Sequence, residues 1–307
     1  MVQAWRNCFT PEAGWRRENL EGSPGHLWRA ADNTDKADKA ENTENTGNAE
    51  NGARAYLAES CASTMDLAWT LVDGGRFPEM SWVAALAQTQ GRGRFGRRWD
   101  SAVGNLFATM RLPDRAADAG PLLPLALGLI MADVLKKHIP EVKIKWPNDI
   151  FVGGKKAGGI LIEQRQGIVM AGIGLNVSAT PEPERQPWGF NIPACGLKEF
   201  GCAVEAPEWW RLMADGFTHD MSRILAAPDY LPDHLPGHLP NHLPDHMKDR
   251  VNRALAFRGE SVVLENGDGK SERVRVLGID ATGGLEVETS RGKQTLYSGR
   301  ILPVIMI

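Results

Sequence analysis

Residues Gln88 to Trp99 read QTQGRGRFGRRW, with four arginines (Arg92, Arg94, Arg97, Arg98) and three glycines (Gly91, Gly93, Gly96) in twelve positions. No regular helix or strand favours this mixture. Closely spaced glycines cost backbone entropy but allow positive φ and close approach to a ligand. Arginine presents a planar fork of N–H donors that matches carboxylate and phosphate. The preceding run Ser81 to Ala87, SWVAALA, is apolar and of strand length. A Gly/Arg loop leaving a strand reads as a cradle for an anionic ligand, ordered when occupied. Its alternatives are a solvated basic loop or a nucleic-acid patch.

The whole chain narrows that choice. At 307 residues with a formal net charge of −3, it can hold one full core and a smaller second domain, and the arginine cluster is a local feature. This argues against a general nucleic-acid binder. Four scattered cysteines (Cys8, Cys61, Cys195, Cys202) lack zinc spacing and read as free thiols of a reducing compartment. No signal-like apolar core follows the start, and the most apolar segment, Leu122 to Ala132, is too short to span a bilayer. A cytoplasmic protein with no membrane partner is expected.

Residues 1–53 read as an N-terminal extension. Its tryptophans (Trp5, Trp15, Trp28) suggest an appendage, and Ala31 to Asn51 has alanine as its only apolar residue type, a composition expected to be disordered. From Arg54 onward the pattern is that of an ordered domain. A short strand near Tyr56 precedes a helix over Asp66 to Leu71, with the hydroxyls of Ser63-Thr64 as its cap. Strands are expected at Ser81–Ala87, Gly104–Arg111, Val142–Trp146, Ile150–Val152, Gly159–Glu163 and Ile168–Val177, with Gly153-Gly154 as a hairpin turn. Pro121 to Lys137 is apolar on nearly every face and predicts a buried helix, and Glu208 to Ala227 predicts another. Within 231–247, Leu231 to His246 repeats LPDHLPGHLPNHLPDH. A proline in each repeat forbids the regular helix that would align His234, His238, His242 and His246 as a metal face, so a low-complexity insertion is expected. From residue 256 to 307, short Val/Ile/Leu runs alternate with NGDGK, DATGG and SRGK turns, the pattern of a small β-barrel.

Three further stretches bring chemistry to the arginine loop. KWPND (Lys145 to Asp149) places a lysine, an aromatic and two polar groups around a proline; KKAGGILIE (Lys155 to Glu163) sets a basic pair before small residues; MAGIGLNV (Met170 to Val177) carries one amide, Asn176, on an apolar strand. Together they supply cations, a carboxylate and a glycine-lined apolar slot. Taken singly, each is also compatible with solvated lysines or an ordinary turn.

In this order, Ser63-Thr64, GRGRFGRRW, KWPND, KAGGILIE, GIGLN and a C-terminal barrel resemble the biotin–protein ligase family over residues 54–307, the histidine-rich insertion excepted. The resemblance implies an α/β (α+β) catalytic domain over 54–255 on a mixed sheet of class II synthetase type, then an SH3-like β-barrel over 256–307. It implies formation of biotinoyl-AMP from biotin and ATP with Mg²⁺, then transfer to a lysine of a biotin carboxyl carrier protein. By resemblance Lys156 is the catalytic lysine, and Arg92 and Arg94 belong to the ligand-ordered loop. Ser63, Thr64, Gln88, Gly91, Arg92, Gly159, Leu161 and Gly172 match the biotin wall. Trp99 and Asn176 match residues near the nucleotide, which Arg94, Lys145 and Lys156 also serve. Asp149 would orient the target lysine or accept its proton. No metal ligand is assigned among the residues. Met65 stands where the family often has asparagine, which puts one polar contact in doubt. The DNA-binding domain of repressor-type relatives looks absent, so a monofunctional enzyme, monomer or homodimer, without DNA binding is expected. A lipoate or octanoate ligase of the same fold is the rival enzyme; a non-catalytic nucleic-acid-binding protein is the rival of another class.

Overall fold

The structure, a computed structural model, describes residues 15–18, 27–30, 52–180, 192–226, 243, 245–265 and 271–304. It comprises two compact units, one of Met1–Asp114, Ile162–Gly174 and Glu205–Arg211, the other of Arg115–Leu161, Leu175–Val204 and Leu212–Ile307.

In the first unit, β3 (Ala55–Ala58) leads into α1 (Thr64–Asp73), which returns to β4 (Trp82–Ala85) in parallel with β3. Parallel neighbours need such a crossover, and the helix supplies it. The Ser63 hydroxyl accepts the Met65 N–H at 3.2 Å, as its cap position requires. β5 (Leu106–Arg111) pairs antiparallel with β4, making the sheet mixed. With β1 (Trp15–Glu18), β2 (Leu27–Ala30) and β9 (Ile168–Leu175), the strand order is β1-β2-β3-β4-β5-β9. The β1–β2 hairpin lies in the N-terminal extension, in the part whose tryptophans suggested an appendage but no strands, and Leu27 is fully buried. Four-residue strands carry too short a pattern to be legible alone; β2 is defined by its partner β3.

In the second unit, α2 (Leu122–Lys136) is buried along most of its length, as its all-round apolar composition requires. β6 (Lys143–Lys145), β7 (Asp149–Val152) and the beginning of β8 (Lys155–Arg165) form a meander of order β8-β7-β6. The β7–β8 turn uses Gly153 and Gly154 at φ +56° and +78°, the positive pair of a tight hairpin. α3 (Ala206–Ala226) is the helix expected near Glu208. α4 (Asp245–Ala254) is an unexpected one, because it starts inside the stretch assigned to the low-complexity insertion. Once the proline repeat ends, Met247, Val251 and Ala254 recur at helical spacing and are buried. Residues 31–51 and 231–242 lie outside the described residues.

The C-terminal sheet is antiparallel, ordered β13-β12-β11-β10-β14 from β10 (Ser261–Glu265), β11 (Ser271–Ile279), β12 (Leu285–Thr289), β13 (Gly292–Leu296) and β14 (Arg300–Pro303). Its β12 alternates buried Leu285, Val287 and Thr289 with exposed Glu286 and Glu288, the period-two signature of a sheet with one face covered. Among the described residues, no helix is long and apolar enough to cross a membrane.

Candidate active site

In the first unit a polar chain runs inward from the arginine loop. The Gln88 side-chain oxygen accepts the Thr64 N–H at 2.8 Å and the Thr64 hydroxyl at 3.2 Å, and its amide donates to Ser101 Oγ at 3.0 Å. The Thr109 hydroxyl donates to Thr64 Oγ1 at 2.9 Å. Thr64 and Gln88, both matched to the biotin wall by resemblance, are in direct contact, and the buried Ser63 caps the helix beside them. Ser101 and Thr109 were not legible as members, since lone hydroxyls carry no motif. Gly91 packs so tightly that a Cβ there would lie 2.6 Å from Ser101 Oγ and 2.7 Å from the Trp99 carbonyl. Gly172 lies on β9, and two residues on the Trp99 indole covers Gly174, where an added Cβ would sit 2.4 Å from the ring.

The base of the loop is a short ladder. Gly93 N–H donates to Arg97 O at 2.7 Å and Trp99 N–H to Gly91 O at 2.8 Å. At the tip Phe95 has φ +59° and is 79% exposed, with the Arg94 guanidinium 5.0 Å from its ring centre. Arg92 turns away from the tip. It contacts Asp66 of α1 at 2.7 Å and Glu163 of β8 at 3.0 Å, and the same glutamate accepts the Trp69 indole N–H at 3.0 Å. The hydrogen bond to Asp66 leads in raising the Arg92 pKa. A guanidinium shared by two carboxylates is pre-aimed for acid groups, yet it must exchange a partner to take a third.

The second unit assembles the lysines. Lys145 Nζ lies 3.2 Å from Asp149 Oδ2, and Lys156 Nζ lies 2.6 Å from Asp149 Oδ1. Strand register explains the grouping. Lys145 is opposite Asp149 and Phe151 is opposite Lys156, so all four side chains share one face. That requires an irregularity: Ile150 pairs with Gly158 but Phe151 with Lys156, leaving Ala157 unpaired. Without this bulge Lys156 would fall opposite Val152, on the other face. Burial by itself would raise the Asp149 pKa, but Lys156 and Lys145 together hold it down at about 2. Burial lowers the pKa of the enclosed Lys145, against the pull of Asp149. Asn148 is pinned by its side-chain donation to Ile160 O at 2.7 Å, and the Trp146 indole donates to Gly283 O at 3.0 Å.

Gly159 is opposite Asp149, with Leu161 two residues further along β8. Asn176 follows β9 and is 1% exposed; its N–H donates to Ala157 O at 2.7 Å, while its side-chain oxygen has no donor among the described residues. A buried acceptor without a donor is costly and suits a ligand that brings one. Among the described residues no three His, Cys, Asp or Glu gather to hold a metal ion. Cys61, Cys195 and Cys202 are free and buried, and burial pushes the Cys61 and Cys195 thiols up to about 12.

Residues 57–179 match the Biotin/lipoate A/B protein ligase family, and residues 258–302 match the Biotin protein ligase C terminal domain. The chain is 35% identical over 146 residues to a biotin--[acetyl-CoA-carboxylase] ligase of Paracoccus denitrificans, covering 45% of this chain and 61% of that one. It is 40% identical over 107 residues to the enzyme of the same name from Mycobacterium tuberculosis, covering 33% and 40%. The matched segments therefore span less than two thirds of these relatives. Its fold is similar to that of the biotin protein ligase of Aquifex aeolicus in complex with biotin and ATP, with TM-score 0.65 and 23% identity over 80% of this chain and 97% of that one. The two family regions thus occur in order along the chain, together with a mixed sheet and a C-terminal antiparallel sheet.

Proposed function

We propose that the protein is a biotin–protein ligase that joins biotin to ATP as biotinoyl-5'-AMP and then transfers biotin to a lysine of a biotin carboxyl carrier domain. The observation that carries this reading is the pair of lysines fixed on one buried carboxylate, Lys145–Asp149–Lys156. A carboxylic acid is ionised at pH 7, so its attack on the α-phosphorus needs no base. The difficulty is bringing an anion to a polyanion, which fixed cations relieve. In the first step the biotin carboxylate oxygen bonds to the α-phosphorus and the bond to pyrophosphate breaks. In the second, the carrier amine attacks the acyl carbon, AMP leaves and the amine loses a proton.

Lys156 is the cation for the phosphates, and Asp149 orients it. A carboxylate held near pKa 2 is a weak proton acceptor, which favours this orienting role for Asp149 over that of a base. Arg92, already trained on carboxylates, suits the biotin acid group, and Arg94 of the loop suits the adenylate phosphate. Ser63, Thr64, Gln88, Gly91, Gly159, Leu161 and Gly172 serve the bicyclic ring system, Trp99 the adenine, and the open acceptor of Asn176 a nucleotide donor. Both oxygens of Asp149 are taken by lysines, so the described residues do not offer it as a free magnesium ligand. Mg²⁺ would enter on the phosphates of ATP, as such ions commonly do.

The test is pyrophosphate release from biotin and ATP by the purified protein. Lys156→Gln should lower it on the order of 10²–10³-fold, the usual effect of removing one preorganised stabilising group. No release with biotin, but release with octanoate or lipoate, would shift the reading to the sister activity. Near-normal release by Lys156→Gln would remove the lysine from its role.

A further inference from the structure

One segment that carries none of the recognised motifs holds two of the site residues at once. Pro193 O accepts the Lys156 N–H at 2.8 Å and the Cys195 N–H donates to Lys156 O at 3.0 Å, so the peptide groups on both sides of Lys156 are fixed by it. Two residues later the Leu197 N–H donates to Asn176 O at 2.9 Å, and the Lys198 N–H to Val177 O at 3.1 Å. The segment Pro193–Lys198 thus ties the lysine expected at the phosphates to the amide expected at the nucleotide.

A single side chain locks the corner of this segment. One Glu199 oxygen accepts the Gly196 N–H at 2.8 Å and the Thr180 hydroxyl, while the other lies 3.0 Å from Lys155 Nζ. Gly196 N–H also reaches Thr180 Oγ1, at 3.1 Å. The contacts therefore close a ring through Lys155, the neighbour of Lys156; through Thr180, four residues past Asn176; and through Gly196, in the segment that joins them. A Cβ at Gly196 would lie 3.2 Å from Val177 O, so the backbones are already close. Hydrogen bonds from Thr180 and the Gly196 N–H, with Lys155, hold the Glu199 pKa down at about 2, so the clasp stays charged throughout the neutral range. Glu199 and Lys155 are partly exposed, and an isolated surface ion pair would contribute little to stability. Three groups converging on one carboxylate, next to two site residues, suit positioning better.

We propose that Glu199 is a positioning residue for the adenylation step: through Lys155, Thr180 and Gly196 it sets the placement of Lys156 relative to Asn176, and so acts on the nucleotide rather than on biotin. This rests on the ligase reading of the site. The effect travels through the backbone bonds of Pro193–Lys198.

The experiment measures steady-state pyrophosphate release with the full chain, varying ATP and biotin separately, for wild type, Glu199→Ala and Glu199→Gln. Small displacements of reacting groups can cost about 10²-fold. Glu199→Ala should lower kcat about 10- to 100-fold and raise KM for ATP, with KM for biotin within about twofold of wild type. Glu199→Gln keeps an oxygen for Gly196 and Thr180 and loses only the charge for Lys155, so it should recover part of the loss. If Glu199→Ala does not fold, Glu199→Gln carries the test by the same split between the two KM values. Wild-type kcat and KM for ATP in a folded Glu199 variant, or equal changes in both KM values, overturn the proposal. A wild-type protein that releases no pyrophosphate overturns the ligase reading instead, and this inference with it.

Discussion

Replacing Asp149 by asparagine keeps the side chain's shape and removes the charge between Lys145 and Lys156. The folded carboxyl is depressed from 3.8 to about 2, a difference on the order of 2 kcal/mol of stability. Because the folded pKa is the lower one, that stability is present above pH 3.8 and is lost as pH falls towards 2. The substitution also strands the buried Lys145, and breaking a buried ion pair from one side costs about 3–5 kcal/mol. The expected loss at pH 7 is therefore about 3–4 kcal/mol, a large share of the roughly 5–15 kcal/mol that holds a typical domain. Urea unfolding of wild type and Asp149→Asn should show a gap that is constant from pH 8 to pH 5 and narrows only below about pH 4. A double-mutant cycle with Lys145→Met should be non-additive, the double variant losing less than the sum, because no unpaired charge remains. A gap below about 1 kcal/mol at pH 7, or one that closes near pH 6, would refute the account of a charged triad.

Two other outcomes follow from the loop and from its packing. Trypsin should cut the free protein after Arg97 and Arg98, which are exposed, and spare Arg92, which Asp66 and Glu163 hold; biotin with ATP should protect the loop, and unchanged cleavage at saturation would show that it is no lid. Gly174→Ala should destabilise by about 1–3 kcal/mol, since its Cβ meets the Trp99 ring, and Trp99→Ala in the same chain should relieve part of the loss; thermal unfolding of the three variants decides it.

Several elements were legible because their signals are local. The Ser63 cap, the two-glycine turn at Gly153-Gly154, the all-apolar α2 and the alternating β12 each depend on residues a few positions apart, where backbone geometry and side-chain periodicity act directly. Composition and spacing likewise marked the arginine loop, KWPND and the Gly-Gly strand as places for anion chemistry. What they could not carry was partnership. That Arg92 faces Asp66 and Glu163, that Thr64 meets Gln88 and Thr109, and that Glu199 closes on Thr180 and Lys155 depend on segments up to 71 residues apart in the chain. The β1–β2 hairpin was missed for the same reason, since a four-residue strand is specified by its neighbour. The bulge at Ala157 makes the point most sharply. A lysine two residues before a Gly-Gly pair could face either side of the sheet, and one unpaired residue in the β7–β8 register puts it on the side of Asp149. Local sequence chose the groups; pairing between distant strands chose which of them meet.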